Sequence, residues 1–393
     1  MITAPETEAE LAASIAQAAA SRAPLAIQGL GSKSGFLRPV QAAATLSTEK
    51  MSGIPLHAPR ELVITARAGT RLDEIEEALA AEGQHMIAEP PSYGFLGNPE
   101  QTIGGIVAAN LSGPRRIAWG AVRDHVLGIR AVTGRGEAIH SGGRVLKNVT
   151  GLDLCKLFTG SYGTLGVITE VTLKVLPRPE ATGTLVLRGL EAAQGVAALS
   201  AALGSPYSVT GAAYLPAEAA AAVGMAGTAA LIRIEDFADS VSYRTRKLAS
   251  ELSACGNADI LDTEASLRLW RAVRDAEPLV AQPGEAIWRV SVPPSSGPAL
   301  LNFALRSDMR GFLDWGGGLA FLAGKASEAN HLALTQAVRR AGGAWWLLRA
   351  PDSLRAAVEV VPPEPGALAA IRRRLIEAFD PARILNPGRM FAT

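Results

Sequence analysis

The stretch that decides the fold reads Thr102-Ile103-Gly104-Gly105-Ile106-Val107-Ala108-Ala109-Asn110-Leu111-Ser112-Gly113. Its spacing predicts a short helix of small residues over 102–111. The first amides of such a helix have no internal partners, and helix N-termini attract anions. Ala108, Ala109 and Asn110, then Ser112 and Gly113, keep the following surface low. Upstream, an apolar run at 25–28 predicts a strand that feeds Gly29-Leu30-Gly31-Ser32-Lys33-Ser34-Gly35. Glycine lets a backbone turn and approach a ligand without a Cβ in the way. Successive free amides in such a turn form an anion-binding concavity. Read alone, this loop also fits a tight strand-to-strand turn. It is not a P-loop, because four residues do not separate its glycine from a Gly-Lys-Ser/Thr. It is not a Rossmann fingerprint either, since its third glycine comes one residue late.

Two further clusters follow. One is Trp119-Gly120 with Arg123-Asp124. The other is Gly160-Ser161-Tyr162-Gly163-Thr164-Leu165-Gly166-Val167-Ile168, which enters a cleanly alternating strand over 167–176. Four small-residue turns in one half-chain, with few charges among them, suit an extended ligand lying along backbone.

Composition narrows the classes. The 393 residues carry 38 Lys and Arg against 37 Asp and Glu, a net charge of +1. No basic surplus for nucleic acid is present. At ~100–200 residues per domain the length predicts two or three domains. Cys155 and Cys255 are too few for a disulfide framework or an iron–sulfur cluster. The acidic start, residues 1–11, lacks the features of a signal peptide. The apolar stretch 211–232 is interrupted by Pro216 and Glu218, so no membrane span is expected. A cytoplasmic location follows, with attachment to the inner membrane only through partners.

The pattern predicts helices at 6–20, at 71–81 with Thr70 as its cap, and at 366–379, and a hairpin around Thr133-Gly134-Arg135-Gly136. Pro177-Arg178-Pro179 is the best domain boundary. No internal repeat stands out.

These residues carry a resemblance. The stretches 28–35, Glu89-Pro90-Pro91, Thr102–Gly105 with Asn110, 119–128, Gly142-Gly143 through Lys147-Asn148-Val149-Thr150 to 154, and 160–168 resemble the FAD-binding domain of vanillyl-alcohol-oxidase-type flavoproteins, the PCMH fold. Within that superfamily the chain is similar to the FAD-binding E subunits of bacterial glycolate oxidase. In the second half this rests on Leu269-Trp270, Ile287-Trp288-Arg289-Val290-Ser291-Val292-Pro293, Asp314-Trp315-Gly316-Gly317 and Asp380-Pro381 through Asn386-Pro387-Gly388-Arg389-Met390. The resemblance implies an α+β fold. It would comprise a two-part PCMH-type FAD domain (1–178), an α+β cap facing substrate or partners (179–375) and a tail returning to the FAD domain (376–393). It also implies that Gly29, Leu30, Gly31, Ser32, Lys33 and Ser34 hold the pyrophosphate. Thr102, Ile103, Gly104, Gly105, Asn110, Ser112 and Gly113 would line the flavin and its ribityl chain, and Pro90, Ala109, Trp119, Gly120, Arg123 and Asp124 would also contact the cofactor. Gly160, Gly163, Thr164, Gly166, Val167 and Ile168 would lie under the adenine and phosphates. Some relatives tether FAD through a histidine in the first loop. Lys33 stands in this one, so non-covalent FAD is expected.

Oxidising a 2-hydroxy acid needs a base for the hydroxyl proton and cations for the carboxylate. Catalytic relatives carry a His-x-His metal cluster in the second half. Here His57, His85, His125, His140 and His331 are scattered singly, so no metal site is expected. Arg274 and Arg289 are the cationic candidates, each with an interface ion pair as its alternative. The resemblance implies a glycolate oxidase complex that converts glycolate to glyoxylate together with a catalytic FAD-linked subunit and an iron–sulfur subunit. A self-sufficient FAD-dependent 2-hydroxy-acid or alcohol oxidoreductase, and a non-catalytic flavin-binding scaffold, are the alternatives.

Overall fold

A computed structural model describes residues 2–144 and 151–392, so Lys147-Asn148-Val149-Thr150 lie outside the described residues. Helix Glu8–Ser21 is capped by Thr7, whose hydroxyl accepts from the Glu10 amide, and it buries Leu11 and Ile15. Beneath it a small parallel sheet orders Ile2–Thr3, Ala44–Ser47 and Leu25–Gln28.

The alternating run 167–176 becomes the strand Gly166–Pro177 at the centre of an antiparallel sheet. Val63–Arg67 pairs on one side of it and Val126–Thr133 on the other. The hairpin around Gly134 is formed, with Val132 opposite Ala138. At the start of helix Leu72–Ala81 the N-cap position falls on Arg71 rather than Thr70, and no side chain caps it. The Thr70 hydroxyl instead bridges the Gly53 amide (3.0 Å) and carbonyl (2.9 Å), so it ties two loops together.

Beyond Pro179 the chain builds one eight-stranded antiparallel sheet. Its first half runs Ala181–Arg188, helix Ala192–Leu203, Val209–Leu215, Ala229–Asp236, helix Ala238–Glu251 and Ala258–Leu261. The second half repeats the order: Ala286–Ser291, helix Gly297–Arg306, Arg310–Asp314, Leu319–Gly324, helix Glu328–Arg340 and Ala344–Arg349. Each half is a βαββαβ unit, and the two meet where Tyr214 pairs with Leu313. The expectation of no repeat is thereby corrected. The duplication lives in topology and leaves no recurring residue pattern, since either apolar set buries a sheet face equally well.

Helix Gly366–Phe379 carries the chain back, and Leu375, Ile376 and Phe379 pack on the core under the first antiparallel sheet. The expected limit at 375 therefore falls inside this helix. The Asp380 carboxylate accepts from the Ile384 (3.2 Å) and Leu385 (2.8 Å) amides. Leu385 then lies parallel beside Leu25.

Candidate functional site

A cavity of about 410 Å³ opens where the two N-terminal sheets, helix Ile103–Ala109, helix Asp352–Ala357 and the tail converge. Its floor is the loop after strand Leu25–Gln28. Gly31 sits at φ +76°, in the left-handed region that glycine accepts. A Cβ on Gly29 would lie 2.3 Å from Thr102 Oγ1, so the loop packs directly on the helix start. Thr102 caps that helix by accepting from the Gly105 amide at 3.3 Å.

The cavity gathers Gly29, Leu30, Gly31, Ser32, Lys33 and Ser34, then Thr102, Gly104, Gly105 and Ala109, and finally Gly163, Gly166, Val167 and Ile168. These are three of the four sequence clusters. The two adjoining glycines of the helix have different tasks. A Cβ on Gly104 would meet Ala68 Cβ at 2.7 Å and its carbonyl oxygen at 2.9 Å, so Gly104 exists for close helix–strand packing. On Gly105 it would meet Thr102 Oγ1 at 3.3 Å and Lys33 Nζ at 3.7 Å, on the cavity side.

The remaining expected positions are not among the cavity lining. Ile103 is fully buried in the core. Asn110 takes the left-handed position after the helix, and its Oδ1 accepts from the Arg123 amide at 3.2 Å. The Ser112 hydroxyl accepts from the Val122 amide, and Asp124 Oδ2 from the Ala121 amide. Trp119, Arg123 and Asp124 are exposed, and Gly120 turns the chain between two helical segments. Gly113 is small because a Cβ would lie 2.2 Å from the Glu89 carbonyl oxygen, beside buried Pro90. Gly160 bonds back to Val107, and the Thr164 hydroxyl to the Ser161 carbonyl. In this structure the third cluster is tied by its Val122 and Arg123 amides to Ser112 and Asn110, at the end of helix Ile103–Ala109.

Sequence reasoning missed the opposite wall. Asp352, Arg355, Asn386 and Arg389 line the cavity, as do Gln28 and Tyr162. Asn386 Oδ1 accepts from the Ile27 amide (2.8 Å) and its Nδ2 donates to the Tyr162 carbonyl (2.7 Å), joining loop, strand and tail. The Arg389 guanidinium donates to the carbonyls of Lys33, Ser34 and Arg38. Arg355 holds the Phe36 and Leu37 carbonyls and pairs with Asp352 at 2.5 Å. Its buried Nε has no partner among the described residues, which leaves a donor for a ligand. The Asn-Pro-Gly-Arg run in the tail was the available signal for two of these residues. Nothing local marked Asp352 and Arg355.

Charge is lopsided here: Lys33, Arg355 and Arg389 face one carboxylate, Asp352. Burial pushes the Lys33 amine down to about 7. Its Nζ donates to Gln101 Oε1 at 2.8 Å and to Ser32 Oγ at 3.2 Å.

A buried ion network ties the two halves together. Arg233 grips Glu89 in a bidentate pair (2.9 and 3.0 Å), lies 3.4 Å from Glu235 and stacks over Trp270. Arg115 completes it, at 2.6 Å from Glu235 and 2.9 Å from His85 Nδ1. Burial opposes ionisation of Glu235, but Arg233 and Arg115 overcome it and hold the carboxyl down to about 2. Glu89 is likewise lowered, against its burial, by the same two arginines.

The two arginine candidates part ways. Arg274 is bidentate with Asp275 (2.8 and 2.7 Å), whose carboxylate also accepts from the Ser92 amide. Arg289 has no carboxylate partner among the described residues. Its guanidinium lies 4.8 Å from the Trp315 ring centre and 5.5 Å from that of Trp346. Arg116 approaches the same Trp315 ring at 4.7 Å.

Residues 1–142 match the family described as FAD binding domain. The glycolate oxidase subunit GlcE of Escherichia coli K12 is 36% identical over 379 residues, covering 96% of this chain and 95% of that protein. The glycolate oxidase subunit GlcD of Bacillus subtilis is 31% identical over 186 residues, which span 47% of this chain and 38% of its own. In fold, the chain is similar to 4-ethylphenol oxidase from Gulosibacter chungangensis, with a TM-score of 0.73 at 14% identity over 99% of this chain and 88% of that one. Alkyldihydroxyacetonephosphate synthase gives a TM-score of 0.72 at 18% identity over 98% and 76%.

Proposed function

The chain belongs to the family of FAD-binding glycolate oxidase E subunits, and on that premise we propose that it is the FAD-holding subunit of a complex that oxidises glycolate to glyoxylate. It has the α+β, PCMH-type fold, and its cofactor is FAD. The cavity's donor set fits that group. Cβ-free turns, a surplus of cations and the unpartnered Arg355 Nε suit a dinucleotide whose diphosphate carries two negative charges.

In this reading residues 1–178, with the closing helix Gly366–Phe379 and the tail after it, form the cofactor domain, and 179–365 face substrate and partners. Bound FAD supplies a two-electron acceptor for the substrate carbon. The chain's own part is to hold and orient it. Gly29–Ser34 and Gly163–Ile168 leave the backbone open, while Asn386 and Arg389 fix the loop from the far side.

Arg289 is the group we assign to the substrate carboxylate in preference to Arg274, because its charge is not already neutralised by an acid. In this proposal the base that takes the hydroxyl proton belongs to a catalytic FAD-linked partner. Two cysteines give no cluster ligands, so electrons leave through an iron–sulfur partner. The observation that carries the reading is the net-positive, glycine-floored cavity on a chain matched end to end by a glycolate oxidase subunit.

Purified alone, the chain should hold flavin that glycolate does not bleach anaerobically. Bleaching should appear on adding the partners. Bleaching by the isolated chain would instead establish a self-sufficient oxidoreductase, the reading that the free Arg289 between two indoles favours. An absence of bound flavin would overturn both.

A further inference from the structure

Lys33 stands apart from the other cations of the cavity. Arg389 spends its donors on three carbonyls of and beside the floor loop, and Arg355 has Nη1 on two carbonyls and Nη2 on Asp352, with only its Nε unpartnered among the described residues. Lys33 is held by neutral groups only, Gln101 and Ser32. Gln101 is itself anchored through Nε2 to the Pro91 carbonyl at 2.8 Å. The amine is thus aimed, not neutralised, and it stands beside Gly105, where no side chain intervenes.

The charged groups around it are few. The tail brings Arg389, and helix Asp352–Ala357 brings Arg355 with its partner Asp352. The loop before Gln101 carries Glu100, which is occupied by Arg71 at 2.8 Å. Helix Ile103–Ala109 carries no charged side chain. Among the described residues, no free carboxylate meets the amine.

We propose that Lys33 is the charge that answers the diphosphate of FAD: its amine takes up a proton from solvent as the cofactor fills the cavity, and the ammonium pairs with the phosphate oxygens. This rests on the reading of the cavity as the FAD site. In the free chain, burial without an acid keeps the amine near half-protonation at neutral pH. A dianion beside it favours the charged form. By linkage the affinity for FAD falls as pH rises above about 7, by up to tenfold per pH unit until the bound-state pKa is reached.

The test is calorimetric titration of the flavin-stripped full chain with FAD at pH 8, in HEPES and in Tris, whose ionisation enthalpies differ. Close to one proton is taken up at pH 8 and little at pH 6. ADP-ribose, which keeps a diesterified diphosphate without the flavin, gives the same uptake at saturation. Lys33→Arg binds FAD without proton uptake, because a guanidinium is already charged. Lys33→Met weakens binding about tenfold or more, also without uptake. Far-ultraviolet circular dichroism checks that both variants fold. FAD binding without proton uptake in the parent chain, or unchanged uptake in Lys33→Arg, overturns the role of Lys33 and leaves the cofactor site standing. Uptake with FAD but not with ADP-ribose overturns the diphosphate assignment. A chain that binds no FAD at any pH overturns the cofactor reading and this proposal with it.

Discussion

Gly104 and Gly105 are adjacent in one helical turn, and the structure predicts opposite outcomes for filling them. At Gly105 the nearest atoms to a new Cβ are Thr102 Oγ1 at 3.3 Å and Lys33 Nζ at 3.7 Å, the latter at the end of a flexible side chain. Glycine is a poorer helix former than valine by a few tenths of a kcal/mol. Gly105→Val should therefore leave the flavin-free chain as stable as the parent, within about 0.5 kcal/mol. Its branches, however, stand in the cavity, and we expect FAD affinity to fall at least 100-fold. Gly104→Ala pushes a methyl against Ala68 Cβ at 2.7 Å and its carbonyl at 2.9 Å. It should cost about 1–3 kcal/mol of stability, as overpacking does, while the folded fraction keeps FAD. The assay is thermal unfolding of each flavin-stripped chain with and without FAD. At 100 times the dissociation constant the ligand stabilises the parent by about 2.7 kcal/mol. Gly105→Val should lack that gain at the same concentration, and Gly104→Ala should show it on a lowered baseline. A full FAD-dependent gain in Gly105→Val would refute the reasoning, because the cofactor could not then run past this turn.

Glu89→Gln removes the bidentate partner of fully buried Arg233 and should cost about 3–5 kcal/mol, read by denaturant unfolding. Because the carboxyls of Glu89 and Glu235 are lowered by the same arginines, Glu235 to about 2, their contribution to stability is complete above the usual carboxylate range. It is lost as pH falls through about 4 toward 2, so acid unfolding should begin at higher pH in Glu89→Gln than in the parent. Asn386→Ala leaves the Ile27 amide and Tyr162 carbonyl without their side-chain partner and should cost about 1–3 kcal/mol, with faster FAD release and earlier proteolysis of the tail. In the assembled complex, Arg289→Met should raise KM for glycolate about 10–100-fold, the worth of a charge-assisted contact. Arg274→Met should instead lower stability with KM unchanged.

The floor of the cavity was legible because its determinants are local. Gly29–Ser34, Thr102–Gly105 and Gly163–Ile168 announce themselves by small residues at short spacing. The far wall was not, because Asp352, Arg355 and Arg389 reach the loop across more than 300 residues, and no periodicity records such a meeting. The Trp119–Asp124 cluster lies outside this cavity, and small residues around it also serve packing. Gly113 yields to the Glu89 carbonyl, and Gly120 to the Asp124 side chain. Thr70 satisfied every cap pattern, yet its hydroxyl was taken by Gly53, a competition visible only in three dimensions. In the sequence Glu89 stood only as part of a motif, and its backbone shows its further role in three dimensions. It holds φ +49° ahead of two prolines, and that strained backbone aims the carboxylate at Arg233 across the boundary.

The bond from the Ile27 amide to Asn386 spans 359 positions, which sets an order of events during biosynthesis. A ribosome delivers Gly29–Ser34 early and Asn386–Arg389 some 350 codons later, so the cavity stands with one side missing through most of translation. FAD can be captured only weakly in that interval. Stable retention must coincide with docking of the last few residues. Ageing, clipping or tagging near residue 385 would then appear first as flavin-poor protein with normal secondary structure, and only later as a loss of fold.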